Sequence, residues 1–208
     1  MFQRELFIIV SLLAAVTLAV AGLGWYAISK LHETSRLIVA DTLPGLTYAG
    51  LAEERIHDNR HKMHELLTPH TSSERESIIL SIKANNTDTL WLEYKNSIFA
   101  TEDRQSFQTL MEMRSNYLQS CDRFYTLVDA NKIDGAKAFY YGDLSDRFQK
   151  YKTAAKNLFD YNVKQGFIRG NTVIRSISLA PWLISVFCIL IFMGGVILGL
   201  RTGLSGVR

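Results

Sequence analysis

Apolar residues are concentrated near the two ends of the chain, whereas charged residues fill its middle. Residues 6–28 contain no charged side chain, and at about 1.5 Å per residue a helix of that length crosses the roughly 30 Å hydrocarbon core of a bilayer. Trp25 and Tyr26 then fall where aromatic side chains meet lipid headgroups. Residues 177–200 are apolar apart from serines and stop before Arg201. The pattern predicts two transmembrane helices in contact with the lipid bilayer.

The first apolar segment has a second interpretation, a cleaved signal peptide, because Arg4 precedes it and residues 19–21 have the small-x-small form of a cleavage site. Its apolar character continues through Leu23, which favours a membrane span. The tails, residues 1–5 and 201–208, contain arginine, which is compatible with a cytoplasmic position for both ends. The domain between the spans would then lie on the periplasmic or extracellular side of the membrane.

The intervening segment, residues 29–176, is predicted to be all-helical, because apolar residues recur in steps of three and four and β-branched runs are rare. A seam of mostly small side chains marks the first helix: Leu31, Ser35, Ile38, Thr42, Gly45, Ala49, Ala52, Ile56, Asn59, Met63 and Leu66. The stripe of the third helix is Phe107, Leu110, Arg114, Tyr117, Cys121, Phe124 and Val128. The stripe of the last helix is Leu144, Phe148, Tyr151, Ala155 and Leu158.

Pro44 interrupts the first helix. Proline removes one backbone hydrogen bond, so we expect a kink or a restart there, with Asp41 or Thr42 able to cap the new helix. The helix then ends near Pro69.

Three further helices follow. Ser73 and Glu76 have the spacing of a capping box, which opens a second helix running to about Phe99. Thr101 is expected to cap the third helix, and the last one is expected to break at Gly142. Short connections imply antiparallel neighbours. The predicted fold class is therefore all-α: an up-down-up-down antiparallel four-helix bundle between two transmembrane helices.

Polar residues from all four helices are predicted to lie at one height in the bundle. Counting about 20 Å from the tip at about 1.5 Å per residue reaches Arg114, Arg55, Asn85-Asn86 and the stretch 143–147. One interpretation is a buried layer that fixes register, in which Arg114 pairs with Asp143 or Asp146. The other is a pocket for a carboxylate, for which arginine offers a planar bidentate fork.

Three histidines share one face of the first helix. His57, His61 and His64 stand at i, i+4 and i+7, so they could hold zinc, nickel or copper with a nearby glutamate. Arg60 lies on the same face, and a cation next to a divalent metal is unfavourable. A solvated face, or help in binding an anionic ligand, are the other interpretations.

Sequence motifs of enzymes are missing. The chain has no phosphate-binding glycine loop and no nucleophile elbow, and Glu54 with His57 is the one match to the paired motif of di-iron bundles. The net charge of +3 is too small to indicate a nucleic-acid surface. We expect no catalysis, no cofactor and no nucleic-acid partner.

Three local patterns accompany this layout: Leu43-Pro44-Gly45-Leu46 after the first span, Arg55-Ile56 with Arg60 on the first helix, and Gly142-Asp143-Leu144 before Phe148-Gln-Lys-Tyr151. Together with two spans around one bundle, they resemble the methyl-accepting chemotaxis receptor family, specifically its four-helix-bundle sensor domain.

The resemblance implies a homodimer that binds a small amino or organic acid and passes a helix displacement across the membrane. It also implies that Arg55, Arg60 and His64 are ligand-reading positions, with Arg114 added by the polar layer. The family's linker and methylated signalling hairpin do not follow the second span before Arg208, so we expect a cytoplasmic signalling partner or an output region outside this sequence. A metal-binding bundle and a structural membrane protein without a small ligand are the alternatives.

Overall fold

The computed structural model describes residues 2–205, and within that range every regular element is a helix. The elements in chain order are α1 (Phe2–Leu37), a π-helical segment (Ile38–Thr42), α2 (Leu43–Glu65), α3 (Ser72–Ala84), α4 (Asp88–Asn96), α5 (Thr101–Asp129), α6 (Ile133–Tyr141) and α7 (Asp143–Ser205). The all-α, four-helix-bundle prediction is confirmed: α2, the pair α3 and α4, α5, and α6 with the first part of α7 supply the four helices.

The chain forms two compact units. Ile38–Phe167 is the bundle, and the sequence limits 29–176 enclose it. The described parts of Met1–Leu37 and Ile168–Arg208 form the second unit. By length and composition, two helices in the described range carry stretches long and apolar enough to cross a membrane. Many large apolar side chains of the second unit are exposed, among them Phe7, Trp25, Trp182 and Phe192.

The predicted stripes form the core of the bundle. Every apolar member of the α5 and α7 stripes is buried, and the side chain of Arg114 is mostly buried among them. Trp91 and Tyr94 of α4 complete the core, and each large side chain removed from water contributes about 1.5–3 kcal/mol to stability. The hydrophobic pattern therefore determined which face of each long helix is buried.

A buried polar network lies at the end of the bundle where α2 begins. Asn162 Nδ2 donates to the Tyr94 hydroxyl at 2.7 Å and to the Leu158 carbonyl at 3.0 Å, and the Tyr94 hydroxyl donates to Asp103 Oδ1 at 2.7 Å. Burial, followed by the hydrogen bond to Asp103, raises the pKa of Tyr94. Gly45 makes room for this network, because a Cβ there would lie 2.5 Å from Cγ of Asn162.

The restart expected at Pro44 takes the form of a π-helical segment that ends at Thr42. Pro44 itself lies in the first turn of α2, directly after the π-helical segment, so the donor that proline lacks falls where the helical hydrogen-bond pattern changes. The side chain of Thr42 makes no capping bond, and Asp41, the other predicted cap, is buried in the π-helical segment.

Two further boundaries differ from the sequence prediction. The capping box is Thr71 with Glu74, not Ser73 with Glu76: Thr71 N donates to Glu74 Oε2 at 2.7 Å and Glu74 N donates to Thr71 Oγ1 at 3.3 Å. The third helix begins at Thr101, but its N-cap is Ala100 and no side chain caps it.

The predicted second helix is broken, because α3 ends at Ala84 and α4 begins at Asp88. Asparagine side chains compete with helical hydrogen bonds. Asn86 Nδ2 donates to the Lys83 carbonyl at 3.1 Å, and Asn86 Oδ1 accepts from Asp88 N at 3.0 Å. The break at Gly142 is confirmed, since α6 ends at Tyr141 and α7 starts at Asp143.

Candidate ligand-binding site

A cavity of about 380 Å³, open to solvent on one side, is bordered by α2, α3, α5, α7 and the break in the second helix. This volume lies within the range of small-molecule pockets. Its lining is mixed, with aromatic and aliphatic side chains on most sides and a few charged groups: Ile56, Asn59, Met63, Ile82, Lys83, Asn86, Thr87, Asp88, Arg114, Tyr117, Leu118, Cys121, Asp122, Tyr125 and Tyr151.

Arg114 points its guanidinium at the wall of this cavity. Its Nη2 donates to Asp88 Oδ1, the first residue of α4. The interpretation that paired Arg114 with Asp143 or Asp146 is therefore wrong, and Asp143 Oδ2 instead accepts from Arg147 Nε at 3.0 Å. Nε of Arg114 is buried and has no hydrogen-bond partner among the described residues.

Most residues of the predicted polar layer form hydrogen bonds at the break in the second helix. Arg55 Nη1 donates to the Asn86 carbonyl at 2.7 Å, and Asn59 Nδ2 donates to the Asn85 carbonyl at 2.9 Å. Asn85 Nδ2 in turn donates to Asp58 Oδ2 at 2.8 Å. These bonds satisfy carbonyls that the helix break leaves without helical partners.

Helix α7 joins this layer through Tyr151 rather than through the stretch 143–147. Trp91 Nε1 donates to the Tyr151 hydroxyl at 2.8 Å, and the hydroxyls of Thr87 and Tyr151 lie 3.3 Å apart. Burial raises the pKa of Tyr151, so it stays a neutral hydroxyl. The start of α4 is thus bonded to α7 next to the cavity.

Arg60 lies outside the cavity lining and is held against α6. Its guanidinium carbon stands 3.5 Å from the centre of the Tyr140 ring, and Nη2 donates to the Tyr140 carbonyl at 2.9 Å. The Tyr140 hydroxyl donates back to the Arg60 carbonyl at 3.1 Å. Burial lowers the pKa of Arg60 from its usual value. These contacts connect α2 to α6.

The three histidines do not converge. His64 Nε2 is 2.9 Å from the Tyr141 hydroxyl, His57 packs edge-on against Phe148, and His61 is exposed with Nε2 3.8 Å from Glu65. Among residues 2–205, as far as the structure describes them, no three histidine, cysteine or acidic side chains are placed to hold one metal ion. The metal-binding alternative finds no site in this part of the chain.

Sequence reasoning missed Asp88, Tyr151 and Trp91 as parts of the site. The signal was the run Asn85-Asn86-Thr87-Asp88, whose residue types favour a helix end followed by a new helix start. A break at that run would have placed Asp88 at the height of Arg114.

An all-helical bundle with a cavity of mixed polar and apolar lining, in a chain with two long apolar helices, has the architecture of a four-helix-bundle sensory module. The sequence matches the family described as a four helix bundle sensory module for signal transduction over residues 3–168. The chain belongs to this family, the sensory module of methyl-accepting chemotaxis proteins. No curated protein matches the chain in a sequence comparison. The family is a signal-transduction module and not a known enzyme class.

Proposed function

We propose that this chain is a transmembrane chemoreceptor-type sensor that binds a small organic carboxylate in the cavity beside Arg114. The observation that carries the proposal is the position of Arg114 in the lining of a cavity of about 380 Å³, with a buried Nε behind it that has no hydrogen-bond partner among the described residues. A carboxylate can accept two parallel hydrogen bonds from one guanidinium, so it would engage this donor together with Nη2. A buried donor without a partner is costly, and a ligand that satisfies it gains affinity.

The remaining lining favours a ligand with an apolar body. Ile56, Met63, Tyr117 and Leu118 add aliphatic and aromatic surface to the lining. Apolar surface buried against them contributes about 25 cal/mol per Å². An aromatic or branched aliphatic acid fits this combination better than a small hydrophilic amino acid does.

The sequence-predicted site residues take different roles in this proposal. Arg114 binds the carboxylate of the ligand, and Arg55 holds the Asn86 part of the cavity wall in place through its bond to the Asn86 carbonyl. Arg60 and His64 already contact Tyr140 and Tyr141 of α6, so we assign them to the packing of α2 against α6.

Signal transmission follows from the helix that carries Tyr151. We propose that residues 6–28 and 177–200 span a bacterial inner membrane, that the bundle lies on its periplasmic side, and that the working unit is a homodimer. Because α7 is one helix from Asp143 to Ser205, a small displacement at Tyr151 would be carried along it towards the second span. A cytoplasmic signalling partner would receive it.

The test uses the full chain in lipid nanodiscs and isothermal titration with benzoate, phenylpropionate and branched-chain acids. Arg114→Gln should weaken binding of the best acid at least tenfold, since a charge-assisted bidentate contact contributes about 1.5–3 kcal/mol. Arg123→Gln is the matched control, because Arg123 lies on the same helix outside the cavity lining. Equal binding by wild type and Arg114→Gln, or no binding of any acid, would contradict the proposal.

A further inference from the structure

A second groove lies on the other side of the pair formed by Arg114 and Asp88. It has a volume of about 670 Å³ between α4 and α5 and shares both of these residues with the cavity. Lys95 and Arg104 add two cations to its lining, and Trp91 adds apolar surface. The two spaces are thus separated by one ion pair, and the groove carries more positive than negative side chains.

The two partners of this ion pair differ in their exposure. The Arg114 side chain is 14% exposed, whereas the Asp88 side chain is 65% exposed. The cation is therefore held inside the protein, while the carboxylate is already largely hydrated and can leave for water. If one partner is exchanged, it is Asp88.

The geometry of the pair also leaves Arg114 incompletely satisfied. Asp88 accepts through one oxygen from Nη2, and Nε has no partner among the described residues. An incoming carboxylate that bonds both nitrogens makes one more hydrogen bond than Asp88 does. When one carboxylate replaces the other, Arg114 keeps an ion-pair partner. The exchange therefore does not leave an unpaired buried cation.

Release of Asp88 from Arg114 would affect the contact between α4 and α7. It is the first residue of α4, directly after the break in the second helix. Thr87 and Trp91, on either side of it, both contact the Tyr151 hydroxyl of α7, which also forms a hydrogen bond with the Arg114 side chain. A change at the start of α4 therefore reaches α7 through two hydrogen-bonded side chains.

From these observations we propose that Asp88 is a built-in competitor for the ligand. The carboxylate of an organic acid with an apolar body displaces Asp88 from Arg114, joins the cavity to the groove and frees the start of α4 to shift against Tyr151. In the absence of ligand, Asp88 holds the sensor in its resting arrangement and lowers its apparent affinity. This inference rests on the proposed carboxylate site.

The experiment uses the full chain in nanodiscs with Trp25 and Trp182 replaced by phenylalanine, so that Trp91 is the remaining tryptophan. Benzoate is titrated while Trp91 emission is followed, with benzamide as the uncharged control. Asp88→Asn should bind benzoate about three- to tenfold more tightly, the range expected when a partly exposed intramolecular ion pair no longer competes. Its ligand-free emission should also lie closer to that of the benzoate-saturated parent protein.

Asp122→Asn is the matched control, because Asp122 lines the same cavity and its replacement changes the net charge equally. Its effect on benzoate affinity should be smaller than that of Asp88→Asn. Equal or weaker binding by Asp88→Asn, with binding still lost in Arg114→Gln, would overturn the competitor while leaving the carboxylate site standing. Binding that persists in Arg114→Gln would overturn the site itself, and no benzoate binding by either the parent or Asp88→Asn would overturn both.

Discussion

Replacing Gly45 by alanine tests how closely α2 must approach α7. In an ordinary helix interior the substitution stabilises a protein by about 1 kcal/mol, because glycine has the lower helix propensity. At this position the new Cβ would lie 2.5 Å from Cγ of Asn162, which is closer than two carbon atoms can pack. Asn162 is buried, so it cannot move aside into water.

The cost can be worked from the bonds that Asn162 would lose. Its Nδ2 donates to the Tyr94 hydroxyl and to the Leu158 carbonyl, and a buried group left without its partner costs about 1–3 kcal/mol. Overpacking adds a similar cost of about 1–3 kcal/mol. With about 1.5 kcal/mol for each of the two costs and the propensity gain of about 1 kcal/mol subtracted, Gly45→Ala should destabilise the bundle by about 2 kcal/mol.

Gly50→Ala is the matched control on the same helix. Its Cβ would meet the Phe159 ring at 3.6 Å, an ordinary contact, so the propensity gain should dominate. Thermal melting of the full chain in nanodiscs, followed by circular dichroism, measures both variants. At about 3 °C per kcal/mol we expect Gly45→Ala to lower Tm by about 6 °C and Gly50→Ala to raise it by about 3 °C. A Gly45→Ala protein as stable as Gly50→Ala would refute this account of the packing.

Three further predictions concern other parts of the bundle. Arg60→Ala should destabilise the bundle by about 2–3 kcal/mol in denaturant titrations, because the contact with the Tyr140 ring and the hydrogen bond to the Tyr140 carbonyl are lost. Arg60→Lys should recover less than half of the lost stability. Wild-type stability in Arg60→Ala would contradict this. The bond from Thr71 lowers the pKa of Glu74 from 4.5, so its stabilisation is complete above pH 4.5 and is lost as the pH falls through the folded-state pKa. Glu74→Gln should therefore flatten the acid side of the stability profile, and an unchanged profile would argue against the box. Burial raises the pKa of the Cys121 thiol from 9.0 to about 12. In a variant with the other cysteine replaced by serine, iodoacetamide at pH 8 should therefore react with Cys121 about 1,000-fold more slowly than with a free thiol. Fast labelling of the folded protein would show that this thiol is not shielded from solvent.

Most of the bundle could be predicted from the sequence, because the apolar residues of its long helices recur with helical periodicity. The stripes from Phe107 to Val128 and from Leu144 to Leu158 follow helical spacing over several turns, and burial of these stripes is confirmed. The break at Gly142 was also predictable, because glycine is a strong helix breaker.

The parts that the sequence did not predict depend on local competition between weak effects. Whether the box uses Thr71 or Ser73 is a choice between two similar hydroxyls a few residues apart. The break before Asp88 depends on asparagine side chains that form hydrogen bonds with the nearby backbone. This local preference is weaker than the helical spacing of apolar residues, so the sequence predicted one continuous helix. The partner of Arg114 followed from that break, so one missed boundary changed the expected ion pair.

The division of the second helix has a further consequence for motion. Helix α3 has 13 residues and α4 has 9, whereas α5 has 29, and isolated helices below about 12–15 residues are only marginally stable in water. Helix α4 therefore depends on Leu90 and Trp91 packing into the core and can open without the unfolding of α5. Its amides should exchange with deuterated water sooner than those of α5.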